Sequence, residues 1–387
     1  MASSRLRTPR PHARRLHVPV FVVASTALIA AAAWTAGTAQ WRGDPGDVRA
    51  FLGWTLQSFS EPQFSVVGYA GVGLLIGGWF GHLAHTRGWR ISGFTQACGT
   101  GLWPAVTVAA AASLVLSTLL WGWTLAGGRW QPLFVPIASI APAVVVTYGP
   151  ARRVVATAAV LGAFVATPVA LALVNWVCVP LALPPVIGVT GAMAIAAAPT
   201  FLLCKHLPWL PSPGAWRPDA PPTPSDPPRT GLVWLVRRAL ADFTEAQFFG
   251  NEWAGVGVIA GALVGWLTIP DAVAYGTGLL PPILAAQAVS ALVGVLIWRR
   301  QWRRRGFYPT FVPIVSVAPA AVLTFGWQPV PVLGAAVLGA LVGPPLAAAI
   351  STRVPGGWHP YVGNVASMAV TTLAVVPPIS LLMNGMM

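Results

Sequence analysis

Long apolar runs follow one another along almost the whole chain, broken only by short polar, proline-rich or glycine-rich stretches. Most approach or exceed the roughly 20 residues a helix needs to cross a bilayer. The first covers residues 18–38, behind Arg5, Arg7, Arg10, Arg14 and Arg15. Two readings are open for it: a cleaved signal peptide ending in TAGTAQ, or an uncleaved anchor helix, which its length favours. Five further runs cover 64–84, 98–125, 133–149, 153–176 and 180–203. After the proline-rich stretch 205–231, five more cover 248–268, 275–298, 309–326, 330–350 and 361–384. The pattern predicts an all-α integral membrane protein with about eleven transmembrane helices.

The second set of five repeats the first. LFVPIASIAPAVVVTYG (133–149) recurs as TFVPIVSVAPAAVLTFG (310–326), and CGTGLWP (98–104) as YGTGLLP (275–281), both at a shift of 177 residues. GYAGVGLLIGG (68–78) recurs as EWAGVGVIAGA (252–262) at a shift of 184. VLGAFVATP (160–168) and IGVTGAMA (187–194) recur as VLGALVGPP (337–345) and VGNVASMA (362–369). Five motifs in one order indicate a duplicated unit. The expected organisation is a basic N-terminus (1–17), an N-terminal helix (18–38), a first repeat (45–204), an exposed linker (205–231) and a second repeat (232–384). Each repeat opens with a short amphipathic helix.

Five spans per unit is odd, so the second unit would enter the membrane from the opposite side. With the N-terminus in the cytoplasm, Arg87, Arg90, Arg152, Arg153, Lys205, Arg237, Arg238, Arg353 and the cluster Arg299–Arg305 all fall on that side. Arg42, Arg49 and Arg129 fall outside with Asp44, Asp47 and Asp271, as the positive-inside bias requires. The expectation is an inverted repeat, a plan used by transporters and channels whose path lies between the repeats.

Composition changes little in this picture. The chain is 56% hydrophobic and 8% charged, with a mean hydropathy of +0.69; soluble domains carry about 25% charged residues. Its net charge of +14 comes from arginine clusters beside apolar runs, so topology explains it and nucleic-acid binding is excluded as a reading. One lysine among many arginines, with abundant Ala, Gly and Pro, fits a GC-rich bacterial genome and a multi-pass protein of the cell inner or plasma membrane. Cys98, Cys178 and Cys204 show no metal-binding spacing.

The runs at 133–149 and 309–326 are short for a crossing. Each has two prolines (Pro136 and Pro142; Pro313 and Pro319) around a central serine, Ser139 or Ser316. They read as broken or re-entrant helices lining a path, or as ordinary Pro-kinked helices whose serine bonds its own backbone. Of nine acids, only Glu61 and Glu245 recur at equivalent positions, each two residues before a recurring Gln63 or Gln247 and its Phe64 or Phe248. Carboxylate and amide could replace a solute's lost water hydrogen bonds. Alternatively, Ser60 or Thr244 begins a helix and the Glu satisfies its first amides. Asn251 and Glu252 have no counterpart, and Glu252 reads as an exposed interfacial charge. His82 and His85 have metal-like i, i+3 spacing but lack a third ligand, so they read as an interfacial pair, and His359 reads as structural. No nucleotide-binding, zinc-protease or nucleophile-elbow motif is present, and neither cofactor, metal nor catalytic residue is expected.

TEAQFFGNEWAGVGVIAGAL (244–263) resembles the segment that opens each half of the urea transporters, where a short helix leads into a Gln, aromatic, Asn, Gly pattern. Gln247, Phe249, Asn251 and Gly255 stand at matching places, as do Gln63, Phe64 and Gly71 in the first half. LPPVIGVTG (183–191) and HPYVGN (359–364) stand where that family has its LPxxTxPF boxes, keeping the Pro but not the Thr or the PF. The resemblance implies two inverted five-span halves, a trimeric homo-oligomer and a pore through each protomer. The expected function is therefore a channel or facilitator, embedded in lipid, for a small polar solute of urea or amide size. Its path residues would be Glu61, Gln63, Phe64, Ser139, Glu245, Gln247, Phe248, Phe249, Asn251 and Ser316. Two alternatives stay open: an ion- or proton-coupled transporter using Glu61 or Glu245, and an intramembrane enzyme or lipid-handling protein.

Overall fold

A computed structural model describes residues 11–37, 41–44, 46–216 and 231–384, and every regular element among them is helical. The N-terminal helix α1 (Pro11–Thr35) begins before the apolar run and is followed by the short amphipathic α2 (Val48–Ser58), capped by Asp47. The first set of runs forms α3 (Gly68–Thr86), α4 (Trp103–Trp121), α5 (Ile140–Tyr148), α6 (Arg152–Leu161), α7 (Thr167–Leu173) and α8 (Pro185–His206). Two π turns, Gly162–Ala166 and Val174–Cys178, extend α6 and α7 into one continuous rod. The second set forms α9 (Leu232–Asp242), α10 (Glu252–Thr268), α11 (Leu280–Arg305), α12 (Val317–Phe325), α13 (Pro329–Ser351) and α14 (Tyr361–Asn384). Prolines open α4, α8, α11 and α13, where a fixed φ and a missing N–H cost nothing.

Six of these rods are long and apolar enough to cross a membrane: α4, the α6–α7 rod, α8, α11, α13 and α14. The other expected crossings fall on α1, α3, α10 and the segments that end in α5 and α12. Those last two segments are broken. A single 3-10 turn, Val135–Ala138 or Val312–Val315, runs into Ser139 or Ser316, whose φ/ψ of −144°/−106° and −139°/−83° lie outside the helical range. The α-helix restarts at the next residue. Each serine also returns its hydroxyl to a carbonyl four residues back, Val135 or Val312, at 2.7 Å. The sequence offered these features as alternatives; both are present. The expected linker lies largely in 217–230, and the first part of the basic N-terminus in 1–10, outside the described residues.

The closest helix pair is α3 against α10. A Cβ placed on Gly73 would overlap the carbonyl oxygen of Gly257, and one on Gly257 would overlap that of Gly73. Gly77 meets Trp253 in the same way, and Gly261 meets Tyr69. Contacts advance on one helix as they retreat on the other, so the two run antiparallel. Gly71 and Gly255 sit against the carbonyls of Leu56 in α2 and Leu240 in α9. Small residues without Cβ atoms let backbones approach this closely.

Other contacts recur at the same shifts as the sequence motifs. Ser113 donates to the Ala159 carbonyl and Ser290 to that of Ala336. The indoles of Trp121 and Trp298 donate to Ala163 and Ala340 at 3.0 and 2.9 Å. These bonds tie α4 to the α6–α7 rod and α11 to α13. Trp79 of α3 receives Phe21 of α1 edge to face at 5.2 Å, which seats the N-terminal helix outside the central pair.

The α3–α10 contact sets an expected outcome. Gly73→Ala should abolish monodisperse protein or lower its melting temperature sharply, because the added methyl meets backbone rather than a movable side chain. Gly334→Ala, on α13 with open space at its Cβ, should leave melting unchanged or raised. Size-exclusion profiles and thermal melts in detergent compare the two.

Candidate functional site

Between the short helices and the central pair the chain breaks twice. After α2 a 3-10 turn, Glu61–Gln63, ends at Phe64 with φ +61°; after α9 the equivalent turn ends at Phe248 with φ +66°. Ser60 closes the first break by bonding the Val67 amide and carbonyl, seven residues on, and Thr244 closes the second on Asn251. These hydroxyls therefore brace the breaks. Neither carboxylate satisfies the first amides of a helix: each is turned to a side chain instead, Glu61 to one far along the chain and Glu245 to one on the preceding helix.

Gln63 and Gln247 meet at the centre. Each side-chain amide donates to the other's carbonyl, at 2.7 and 2.8 Å. Their remaining N–H groups go to main-chain carbonyls across the junction, from Gln63 to Phe243 at 2.5 Å and from Gln247 to Phe59 at 3.0 Å. Gln287 of α11 adds hydrogen bonds to the carbonyls of Gln63 and Ile314. Both glutamines are buried, and their donors are fully used within the protein.

One cavity of about 1180 Å³ lies beside this clasp. Its wall takes equivalent residues from the two sets of elements: Phe64 and Phe248, Phe134 and Phe311, Ala138 and Val315, Met193 and Met368. Aromatic and aliphatic groups dominate, with hydroxyls from Thr190 and Thr324, the side chain of Asn364, and the rings of Trp130, Tyr275 and His359 between them. Phe64, Phe248, Cys98, Tyr275 and Ala182 all line it, and all have φ between +50° and +66°. Left-handed backbone costs a residue with a Cβ about 1–2 kcal/mol. Such strain concentrates where side-chain direction matters to function.

Glu245 reaches the cavity wall together with Arg238 of α9. The buried guanidinium binds Glu245 at 2.7 Å and Asp242 at 2.8 Å, and lies over the rings of Trp302 and Phe94 at 4.8 and 5.0 Å. Asp242 is also held by Thr310 at 2.6 Å, which accepts from the Trp302 indole. Glu61 has a different partner, the indole N–H of Trp130. At the positions equivalent to Arg238 and Asp242 stand Trp54 and Ser58, so no ion pair forms there.

Of the sequence-predicted path residues, Phe64, Glu245 and Phe248 line the cavity. Glu61, Gln63, Gln247, Phe249, Asn251, Ser139 and Ser316 lie behind its wall. Asn251 caps α10 through the Trp253 amide and holds the 88–102 loop through the carbonyls of Ser92 and Phe94. Glu252 is not the exposed charge expected: it is buried, paired with Arg237 at 2.6 Å and bonded to the Phe94 amide. The loop folding back over α10 covers it. Sequence reasoning missed Trp130 and Tyr275 and assigned Arg238 to the cytoplasmic boundary. The one signal for Arg238 was its i, i+4 spacing to Asp242 on a short amphipathic helix. His82 stacks on Trp103 at 5.7 Å, and no cluster able to hold a metal occurs among the described residues.

Compared with known proteins, the chain matches no family model and no curated protein.

Two outcomes follow from the buried polar groups. Gln63→Leu or Gln247→Leu alone should each lower stability by about 1–3 kcal/mol, since each leaves the partner amide unpaired. The double variant should fall well short of their sum, read as a double-mutant cycle of thermal or denaturant unfolding. Arg238→Met should cost about 3–5 kcal/mol by stranding two carboxylates, and adding Asp242→Asn and Glu245→Gln should recover part of that loss.

Proposed function

We propose that the chain is an inverted repeat of two five-span halves behind an N-terminal helix, with eleven crossings in all. On this reading the central cavity is a path for a small polar solute of urea or amide size. The observation that carries it is the wall itself, built from equivalent residues of both halves at the place where an inverted-repeat protein puts its path. The antiparallel contact of the equivalent helices α3 and α10 supports inversion, since a two-fold axis passing between them at Gly73 and Gly257 exchanges the two and turns one half over. The broken helices α5 and α12 lie where irregular backbone is tolerated, against a cavity or packed protein.

A volume of about 1180 Å³ exceeds the needs of one small solute and leaves room for water beside it. Aromatic walls exclude large hydrated ions, and scattered hydroxyls and amides replace part of a neutral solute's hydration. The urea transporter resemblance fits this reading and is proposed as a distant relationship. The arginine distribution supports an N-terminus on the cytoplasmic side of a bacterial cell membrane. A coupled mechanism through Glu61 or Glu245 is the second reading; for Glu245 it is weakened because Arg238 already holds that carboxylate.

Stopped-flow light scattering on proteoliposomes, offered urea, acetamide, glycerol and ammonium in turn, tests the proposal. Urea or acetamide should enter several-fold faster than in protein-free vesicles. Cys98 has its thiol in the cavity wall and supplies the control. In a Cys178→Ala, Cys204→Ala background, a methanethiosulfonate reagent should block entry, and further Cys98→Ala should abolish the block. Silence across the panel, or full flux through protein labelled at Cys98, would end this reading.

A further inference from the structure

Three acids of the second half each face an arginine: Asp242 and Glu245 share Arg238, and Glu252 takes Arg237. Glu61 does not. It is 2% exposed, and its hydrogen-bond partner among the described residues is the neutral indole N–H of Trp130. A carboxylate has room for about four hydrogen bonds, and burying one without a compensating charge is unfavourable. Trp54 stands where Arg238 stands in the second half, and among the described residues no cation pairs with Glu61.

What surrounds Glu61 on the cavity side is aromatic. Trp130 and Tyr275 meet edge to face, 5.8 Å apart at 90°, and Phe64 meets Tyr275 at 6.2 Å and 76°. All three rings line the cavity, and Phe64 and Tyr275 are held there by left-handed backbone, φ +61° and +63°. Edge-to-face contact is the ordinary packing of such rings, and it leaves the remaining electron-rich face of each free to attract a cation. Trp130 spends its N–H on the carboxylate, which leaves the indole face as what it offers the cavity. The molecule carries its own example of this chemistry. Arg238 places a guanidinium over Trp302 and Phe94 while two carboxylates neutralise it.

We propose that the corner formed by Phe64, Trp130 and Tyr275, backed by the unpaired Glu61 carboxylate, is a binding site for a small organic cation of guanidinium or primary ammonium type. The inference rests on the reading of the cavity as a path for a solute of urea size and assigns that path a cationic occupant of the same outline. A planar guanidinium has the outline of urea but carries the charge that Glu61 lacks. Rings favour it over urea through the cation–π interaction. Burial favours Glu61 as the neutral acid while the corner is empty, and a bound cation draws out the carboxylate charge behind Trp130, a gain that a neutral solute does not bring.

Isothermal titration of the detergent-purified full chain with guanidinium chloride, methylammonium chloride and urea, at ionic strength matched with sodium chloride, measures this directly. Guanidinium should bind about tenfold or more tightly than urea. Glu61→Gln keeps an acceptor for Trp130 and should weaken guanidinium at least about fivefold, while urea is unaffected. Tyr275→Leu should weaken it similarly, with melting and monodispersity confirming that both variants fold. Equal binding of urea and guanidinium, or a Glu61→Gln variant with unchanged guanidinium affinity, overturns the proposal. Because titration needs no transport, it separates from the flux assay. Guanidinium binding without flux of any solute would sustain the site and sink the path, and flux without guanidinium binding would do the reverse.

Discussion

The contact on which the rest of the structure depends is the backbone-to-backbone approach of α3 and α10. Gly73 and Gly257 each lie against the other's carbonyl, and Gly71 and Gly255 admit the carbonyls of α2 and α9. In an apolar solvent there is little hydrophobic gain in bringing two apolar helices together, so close packing and hydrogen bonds must hold them. This closeness brings the breaks before the two helices within reach of each other. Only then can Gln63 and Gln247 exchange hydrogen bonds, and the clasp in turn satisfies the carbonyls of Phe59 and Phe243 that the breaks leave free. Glycine packing and amide clasp are two parts of one junction.

That junction also explains why the cavity lies where it does. A helix broken by left-handed Phe64 or Phe248 cannot fill the space ahead of it, and the neighbouring segments at Ser139 and Ser316 are broken as well. Four interruptions around one centre leave a void that continuous helices would have closed. The main-chain groups freed by the interruptions stay paired: Ala97 bonds the Phe248 carbonyl at 2.8 Å and Ala274 bonds that of Ser65 at 2.9 Å. The wall is thereby left to side chains, which is why it is mostly aromatic and aliphatic.

Much of this was legible in the sequence because it rests on periodicity and on residues that have few uses. Apolar runs gave the helices, Pro–x–x–Ser–x–x–Pro spacing marked the broken segments, and glycines at i and i+4 marked the close face. The recurrence of Gln63 and Gln247 pointed to the centre. What it could not give was the partner of each polar group. An amide reads equally well as facing solute or facing another amide, and only the three-dimensional crossing of α3 with α10 decides that Gln63 meets Gln247. Trp130 lies 69 residues from Glu61 and looked like one more interfacial tryptophan among nineteen. Glu252 looked exposed because the loop that buries it lies more than 150 residues away in the chain.

Symmetry and chemistry part company at the two carboxylates. The scaffold treats Glu61 and Glu245 alike, each at the first turn after a short helix and each two residues before a clasped glutamine. Their surroundings do not. Glu245 closes a charge-balanced cluster with Arg238 and Asp242, whose mutual attraction offsets the cost of burial and whose guanidinium is stacked in place. Glu61 sits in the same scaffold with an indole for company. Two equivalent positions beside one cavity therefore differ in electrostatics. Equivalent positions fix where the two carboxylates stand, and Trp54 and Ser58 in place of Arg238 and Asp242 leave Glu61, among the described residues, without the ion pair that Glu245 has.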